Sequence, residues 1–175
     1  MDVLENENAI VGDYLIRAGT SEDIQRLDSL WLALYEQQKT NGMLVKLPPD
    51  AFDQWVASLA PILDRFACLF VAEKAGELVG FLAGRIRSLP PYFGGTQTGF
   101  ISDVFVAEAH RGKGLGRKLV STATSWFQQL GLSRVELQVI TNNTPARELY
   151  RQLGWAEELV QMVWAPKTAN ATPDE

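Results

Sequence analysis

Residues 101–120 read ISDVFVAEAHRGKGLGRKLV, and three textures meet in them. Ile101 to Val106 alternate as a strand. Arg111 to Gly116 form a basic turn with glycine at every second position, and the residues after it open a helix. That helix carries Leu115, Leu119, Ala123, Trp126, Phe127 and Leu130 at helical spacing, an apolar face that can pack on a sheet. RVELQVI, residues 134–140, follows as a strand, so the helix is a crossover and the strands flanking it should be parallel. The glycine turn then lies where a strand ends and a helix begins. Backbone N–H groups there lack intrahelical acceptors, and the helix dipole favours negative charge. Glycine lets an anion approach the backbone closely, and Arg111 and Lys113 add positive charge. The guest such a junction suits is a diphosphate; the alternative is a glycine-softened basic turn with no ligand.

The rest of the chain supplies the frame for this junction. DYLIRAG (13–19) alternates as a strand; Thr20 or Ser21 caps a helix with Ile24, Leu27, Leu30, Trp31 and Leu34 on one face; PPDAFDQWVASLAPIL (48–63) gives a second helix. CLFVAEKAGELVGFLAGRIR (68–87) reads as a hairpin turning at Lys74 to Glu77, because glycine tolerates the positive φ of a tight turn. After the loop SLPPYFGGTQ come the strand, crossover helix and strand already described. A helix over about 145–153 and a final strand near LVQMVWA (159–165) close the series. The expected order is β-α-α-β-β-β-α-β-α-β, an α/β chain in a single domain over residues 13–165. Residues 1–12 and 166–175 are expected to be flexible, because their acidic or small polar residues bury little.

Composition narrows the function. Of 175 residues, 46% are hydrophobic, enough for one core without staples. The single cysteine, Cys68, excludes an internal disulfide and fits a reducing compartment; the acidic start does not resemble a secretory signal, so the expected location is cytoplasmic. A net charge of −5 argues against a general nucleic-acid binder, and no apolar run is long enough to cross a bilayer. Two nucleotide folds are also excluded. GxxxxGK[ST] is absent, and glycines at 112, 114 and 116 do not make GxGxxG.

Arg111-Gly112-Lys113-Gly114-Leu115-Gly116 resembles the R/Q-x-x-G-x-G/A acyl-CoA motif of the GNAT superfamily of N-acetyltransferases. The run Asn143 to Trp155, NTPARELYRQLGW, is similar to that family's N-x-x-A-x-x-L-Y-x-x-x-G-F signature, with Trp155 in place of phenylalanine. The resemblance covers about Tyr14 to Ala165. It implies a mixed, mostly antiparallel sheet with helices on both faces, in which the strands at 101–106 and 134–139 begin paired and splay apart. The pantetheine arm of acetyl-CoA, the acyl-donor cosubstrate, would enter the gap. In family terms the amides of Arg111, Gly112, Lys113, Gly114, Leu115 and Gly116 hold the pyrophosphate. Main-chain groups of Val104, Phe105 and Val106 hold the pantetheine and polarise the acetyl carbonyl.

Tyr150 takes the family's position for protonating the departing thiolate. It also lies on an apolar stripe with Ala146, Leu149 and Leu153, where packing alone would account for it. Asn143 either contacts the cofactor arm or starts the helix at Thr144-Pro145. A protonated amine must lose a proton before it attacks, and Asp103 leads the candidates for base, Glu136 second and His110 third. An exposed strand carboxylate is, alternatively, only solvated. The reaction implied is direct transfer in a ternary complex with no metal. The acceptor stays open among polyamine, aminoglycoside, amino acid, small xenobiotic amine and a protein amine; Trp31, Tyr35, Met43, Tyr92 and Phe93 are on its side. Monomer and homodimer are both compatible with the sequence. The alternative is an acyl-CoA sensor that keeps the loop and transfers nothing.

Overall fold

The computed structural model describes residues 8–43 and 45–164. Six strands form one sheet in the order β1 to β6: Ala9–Val11, Tyr14–Ala18, Ala67–Lys74, Glu77–Ser88, Gln97–Val106 and Val135–Leu137. Each neighbouring pair is antiparallel except β5 and β6, which are parallel. Between β5 and β6 runs the crossover helix α4, Leu115–Gln129. Helices α1 (Ser21–Gln25), α2 (Asp28–Thr40) and α3 (Ala51–Leu59) link β2 to β3, and α5 (Thr144–Gln152) follows β6.

Hydrophobic alternation decides which helix covers which face. In β4, Leu82 turns towards the core beneath α4, while Phe81 and Ala83 turn towards the core beneath α1 to α3. The α4 core contains Leu115, Leu119, Ala123, Trp126 and Phe127 of the stripe that the sequence sets out, with Val120 added, whereas Leu130, just past the helix end, is exposed. Its fit is close at Gly99, where an added Cβ would stand 2.6 Å from the Phe127 ring, so the helix lies tight over the only stretch of β5 that pairs with β6. Opposite, Ile24, Leu27, Trp31 and Leu34 are buried as their spacing requires. Among the described residues no helix is long and apolar enough to cross a membrane.

Four expectations change. The first helix divides, because the N–H groups of Arg26 and Leu27 each bond three residues back, tightening the chain between α1 and α2 without turning the apolar stripe aside. Residues 9–11, expected to be loose, pair with Tyr14–Ile16 as β1; residues 1–7 and 165–175 lie outside the described residues. The strand expected over 134–140 is only Val135–Leu137. Residues 159–164 form no strand, and Leu159, Val160, Met162, Val163 and Trp164 are exposed. Strand propensity reflects packing on a neighbour, and among the described residues this apolar run pairs with none.

Candidate active site

The short pairing of β6 creates the site. β5 and β6 are matched only from Gly99↔Val135 to Ile101↔Leu137, so the β6 side of Asp103 to Val106 is a free strand edge. Those residues pair on their other side with β4, from Ala83↔Asp103 to Gly80↔Val106. At Ser102 the β4–β5 register slips by one residue, a bulge that reverses the alternation of side chains. Ile101 and Val104 therefore both face α4, whereas Asp103 and Phe105 face α2 and α3.

Beyond β5 a single 3-10 turn, Glu108–His110, leads into the glycine loop. Gly112 and Gly114 have φ of 73° and 82°, a left-handed backbone that L side chains rarely adopt, and nothing lies within 4 Å of a Cβ built on either. The space above this backbone is open. The first amide of α4 to bond its own helix backbone is Lys118, to the carbonyl of Gly114; those of Leu115, Gly116 and Arg117 have no backbone acceptor among the described residues. An oxyanion fits the open donors.

The basic side chains beside the loop point in different directions. Lys113 Nζ donates to Tyr14 Oη at 2.8 Å, and that hydroxyl lies 3.0 Å from His110 Nδ1. Arg111 folds back: its Nε donates to the Val106 carbonyl at 2.8 Å and its Nη2 to Gln37 Oε1 at 3.0 Å. It borders a cleft of about 330 Å³ between α2 and the end of β5, lined by Leu30, Ala33, Gln37, Phe105 and Ala107.

Asp103 is not the solvated strand residue that an isolated carboxylate would suggest. It is half-buried and accepts from Ser102 Oγ at 2.6 Å and Trp55 Nε1 at 3.2 Å. Burial raises its pKa above the ordinary carboxylate value, against the lowering effect of those two hydrogen bonds and of Arg85 nearby. Trp55 is a residue that sequence reasoning missed. Its signal was the spacing of Phe52 and Trp55 on α3, whose rings stack at 5.8 Å beside Trp31. Glu136 faces the same side, directly across from Phe100, but Arg134 Nε holds it at 2.6 Å and Arg134 also engages Glu158.

Tyr150 lies on the opposite, α4 side, packed against that core with its ring 6.1 Å from Trp155. Its hydroxyl has no hydrogen-bond partner among the described residues, and burial pushes its pKa up to about 12. The phenol is thus both packed and kept in its protonated form at neutral pH. Asn143 caps α5, its side-chain oxygen accepting from the Ala146 amide at 3.3 Å, so the helix-start reading accounts for that atom.

A split sheet edge that opens beside a helix-capping glycine turn can be compared with known proteins. The profile described as the Acetyltransferase (GNAT) family matches residues 25–155. The chain belongs to that family. Over 88 residues it is 39% identical to streptothricin acetyltransferase of Streptomyces lavendulae, covering 50% of this chain and 43% of that one. It is 28% identical over 135 residues to a mycothiol acetyltransferase of Renibacterium salmoninarum, covering 74% and 37%. The GNAT chain thus spans less than half the length of these curated relatives. Its fold is that of an aminoglycoside N-acetyltransferase solved in complex with CoA, with a TM-score of 0.69, 18% identity, and coverage of 89% of this chain and 95% of that one.

Proposed function

We propose that this GNAT chain transfers an acetyl group from acetyl-CoA to an amine, both substrates meeting on the enzyme. One observation carries the reading: the free edge of β5 at Asp103 to Val106 runs directly into a loop of open amides at Gly112 to Gly116, the Arg111 amide being taken by the Glu108 carbonyl. The pyrophosphate would lie on those amides and the pantetheine along the edge, where its amide groups can continue the sheet ladder. Arg111 must release the Val106 carbonyl if that carbonyl is to receive a pantetheine N–H.

Acetyl-CoA supplies the thioester, and the chain's residues do the rest. A backbone N–H near Val104 to Val106 polarises the acetyl carbonyl and stabilises the charge that develops on its oxygen. Asp103, more basic than an exposed carboxylate, takes the proton of the incoming ammonium directly or through water. Tyr150 stays protonated at neutral pH and can hand its proton to the departing thiolate. The two groups face opposite sides of β5, which suits an acceptor entering from the α2–α3 side and a thiol leaving on the other. Relatives named as acetyltransferases support an enzyme over a sensor. Free-thiol release from acetyl-CoA over a broad amine panel tests this: turnover with at least one amine is expected. Saturable binding without thiol release would leave the sensor.

A further inference from the structure

Resting on that reading, we infer that the acceptor carries a carboxylate as well as an amine, an amino acid or short peptide, and that Arg85 and Arg87 of β4 bind the carboxylate. The register places both arginines beside Asp103 on the α2–α3 face: Ala83 pairs with Asp103, Arg85 with Phe100 and Arg87 with Thr98. Two to four residues along a strand separate them from the proposed base, roughly 7 to 14 Å at the backbone. Arg85 acts electrostatically on Asp103, and the Arg87 guanidinium leans over Phe100, the residue opposite Arg85.

Neither guanidinium has a hydrogen bond or ion pair to a carboxylate among the described residues. Arg17, Arg26, Arg134 and Arg147 all do. Glu136, on the same face, acts on Arg87 electrostatically but spends its hydrogen bond on Arg134. Arg87 is also fixed in place, its guanidinium carbon 3.2 Å from the centroid of the Phe100 ring. Partial burial and then the charge of Arg85 lower its pKa, a cost that a bound anion would remove. Across from Arg87, the hydroxyl of Thr98 is buried without a partner among the described residues. Like charges held side by side, one of them stacked rigidly, and an unsatisfied hydroxyl beneath them are what a carboxylate subsite requires. The same pair repels a polycation. An amine held at Asp103 and an anion held at Arg85 and Arg87 define a zwitterionic acceptor.

The test compares acceptors that differ in the carboxylate: L-lysine against 1,5-diaminopentane, and alanylalanine against its C-terminal amide. Hydrogen bonds to a charged group are worth enough that wild-type kcat/KM should favour the acid by about tenfold to a hundredfold in at least one pair. In Arg85→Gln/Arg87→Gln that preference should shrink towards one while acetyl-CoA affinity holds. If the double variant does not fold, the wild-type ratio decides alone. A binding arm, saturation-transfer NMR of the same four compounds on the CoA-loaded protein, separates the two readings. Absence of thiol release with every amine would sink acetyl transfer, yet tighter binding of the acids would still uphold the carboxylate site. Diamine and amide equal to or better than the acids, in turnover and in binding, would overturn it, as would a preference that survives the double substitution.

Discussion

Asp103 and Tyr150 owe their proposed roles to burial, acting on two acids of different kinds. Burial raises both pKa values. For Asp103 this brings the carboxylate nearer to neutrality, and a base works only when ionised, so activity should rise with pH through a midpoint above that of an exposed aspartate. Asp103→Asn should flatten this acidic limb and lower kcat/KM for the acceptor by about tenfold or more, with acetyl-CoA affinity unchanged; steady-state kinetics from pH 5 to 9 read both. A change confined to KM would make Asp103 an anchor for the cation. For Tyr150 the shift to about 12 keeps the phenol loaded across that whole range. Tyr150→Phe retains the packing against Trp155 and removes the proton, so kcat should drop roughly tenfold to a thousandfold while the melting temperature barely moves. If kcat holds and stability falls, the residue is core. Sequence alone named both residues but could not weigh them, because Trp55 meets Asp103 from 48 positions away.

At the level of elements, what was legible is what backbone geometry forces on residue type. The glycine turn was legible because φ near 80° at Gly114 admits little else, and the β3–β4 hairpin for the same reason at Gly76. The crossover helix was legible because its apolar stripe has one period. The bulge at Ser102 was not, since slipping a register needs no distinctive residue, and with it went any certainty about which face Asp103 occupies. Nor was the absence of a strand at 159–164, whose composition is strand-like and which pairs with no strand among the described residues. The glycine turn gives a controlled test. Gly114 and Gly131 flank α4 with nearly equal φ, 82° and 80°, and both would project a Cβ into open space. Replacing either by valine imposes similar backbone strain, on the order of 1–2 kcal/mol. Only Gly114→Val should also weaken acetyl-CoA binding in calorimetry, since the Cβ would stand where the pyrophosphate is proposed to lie. Equal affinities in the two folded variants would remove the pyrophosphate from this loop.

Across the domain, the split lies at one end of the sheet and the most buried ion network near the other. Arg17 of β2 donates to Asp23 of α1 at 2.6 and 3.0 Å and to Glu73 of β3 at 2.8 Å, and Arg26 joins Asp23 to the Gly76 carbonyl in the β3–β4 turn. The Asp23 side chain is only 4% exposed, and it also closes the capping box with Thr20. Arg17 is the chief reason that its pKa falls from 3.8 to about 2. A carboxylate with a depressed folded-state pKa contributes stability that is full above its unfolded value and lost as pH falls through the folded one. The window is therefore about pH 4 to 2, and the shift corresponds to about 2 kcal/mol. Breaking a buried pair outright costs more, about 3–5 kcal/mol, a large part of the 5–15 kcal/mol that holds a domain together. Asp23→Asn should accordingly lower the melting temperature at pH 7. Between pH 4 and 2 it should lose less further stability than the wild type does, since the proton that the wild type must take up there has no site in the variant. Acetyl-CoA affinity at low temperature should survive, because the network touches β2, β3 and α1 and leaves the β5–β6 split alone. Calorimetric melts of both proteins across that pH range carry the test. Parallel losses in wild type and variant would mean that other carboxylates set the acid limit, and a loss of acetyl-CoA affinity in the folded variant would mean that the two ends of the sheet are coupled.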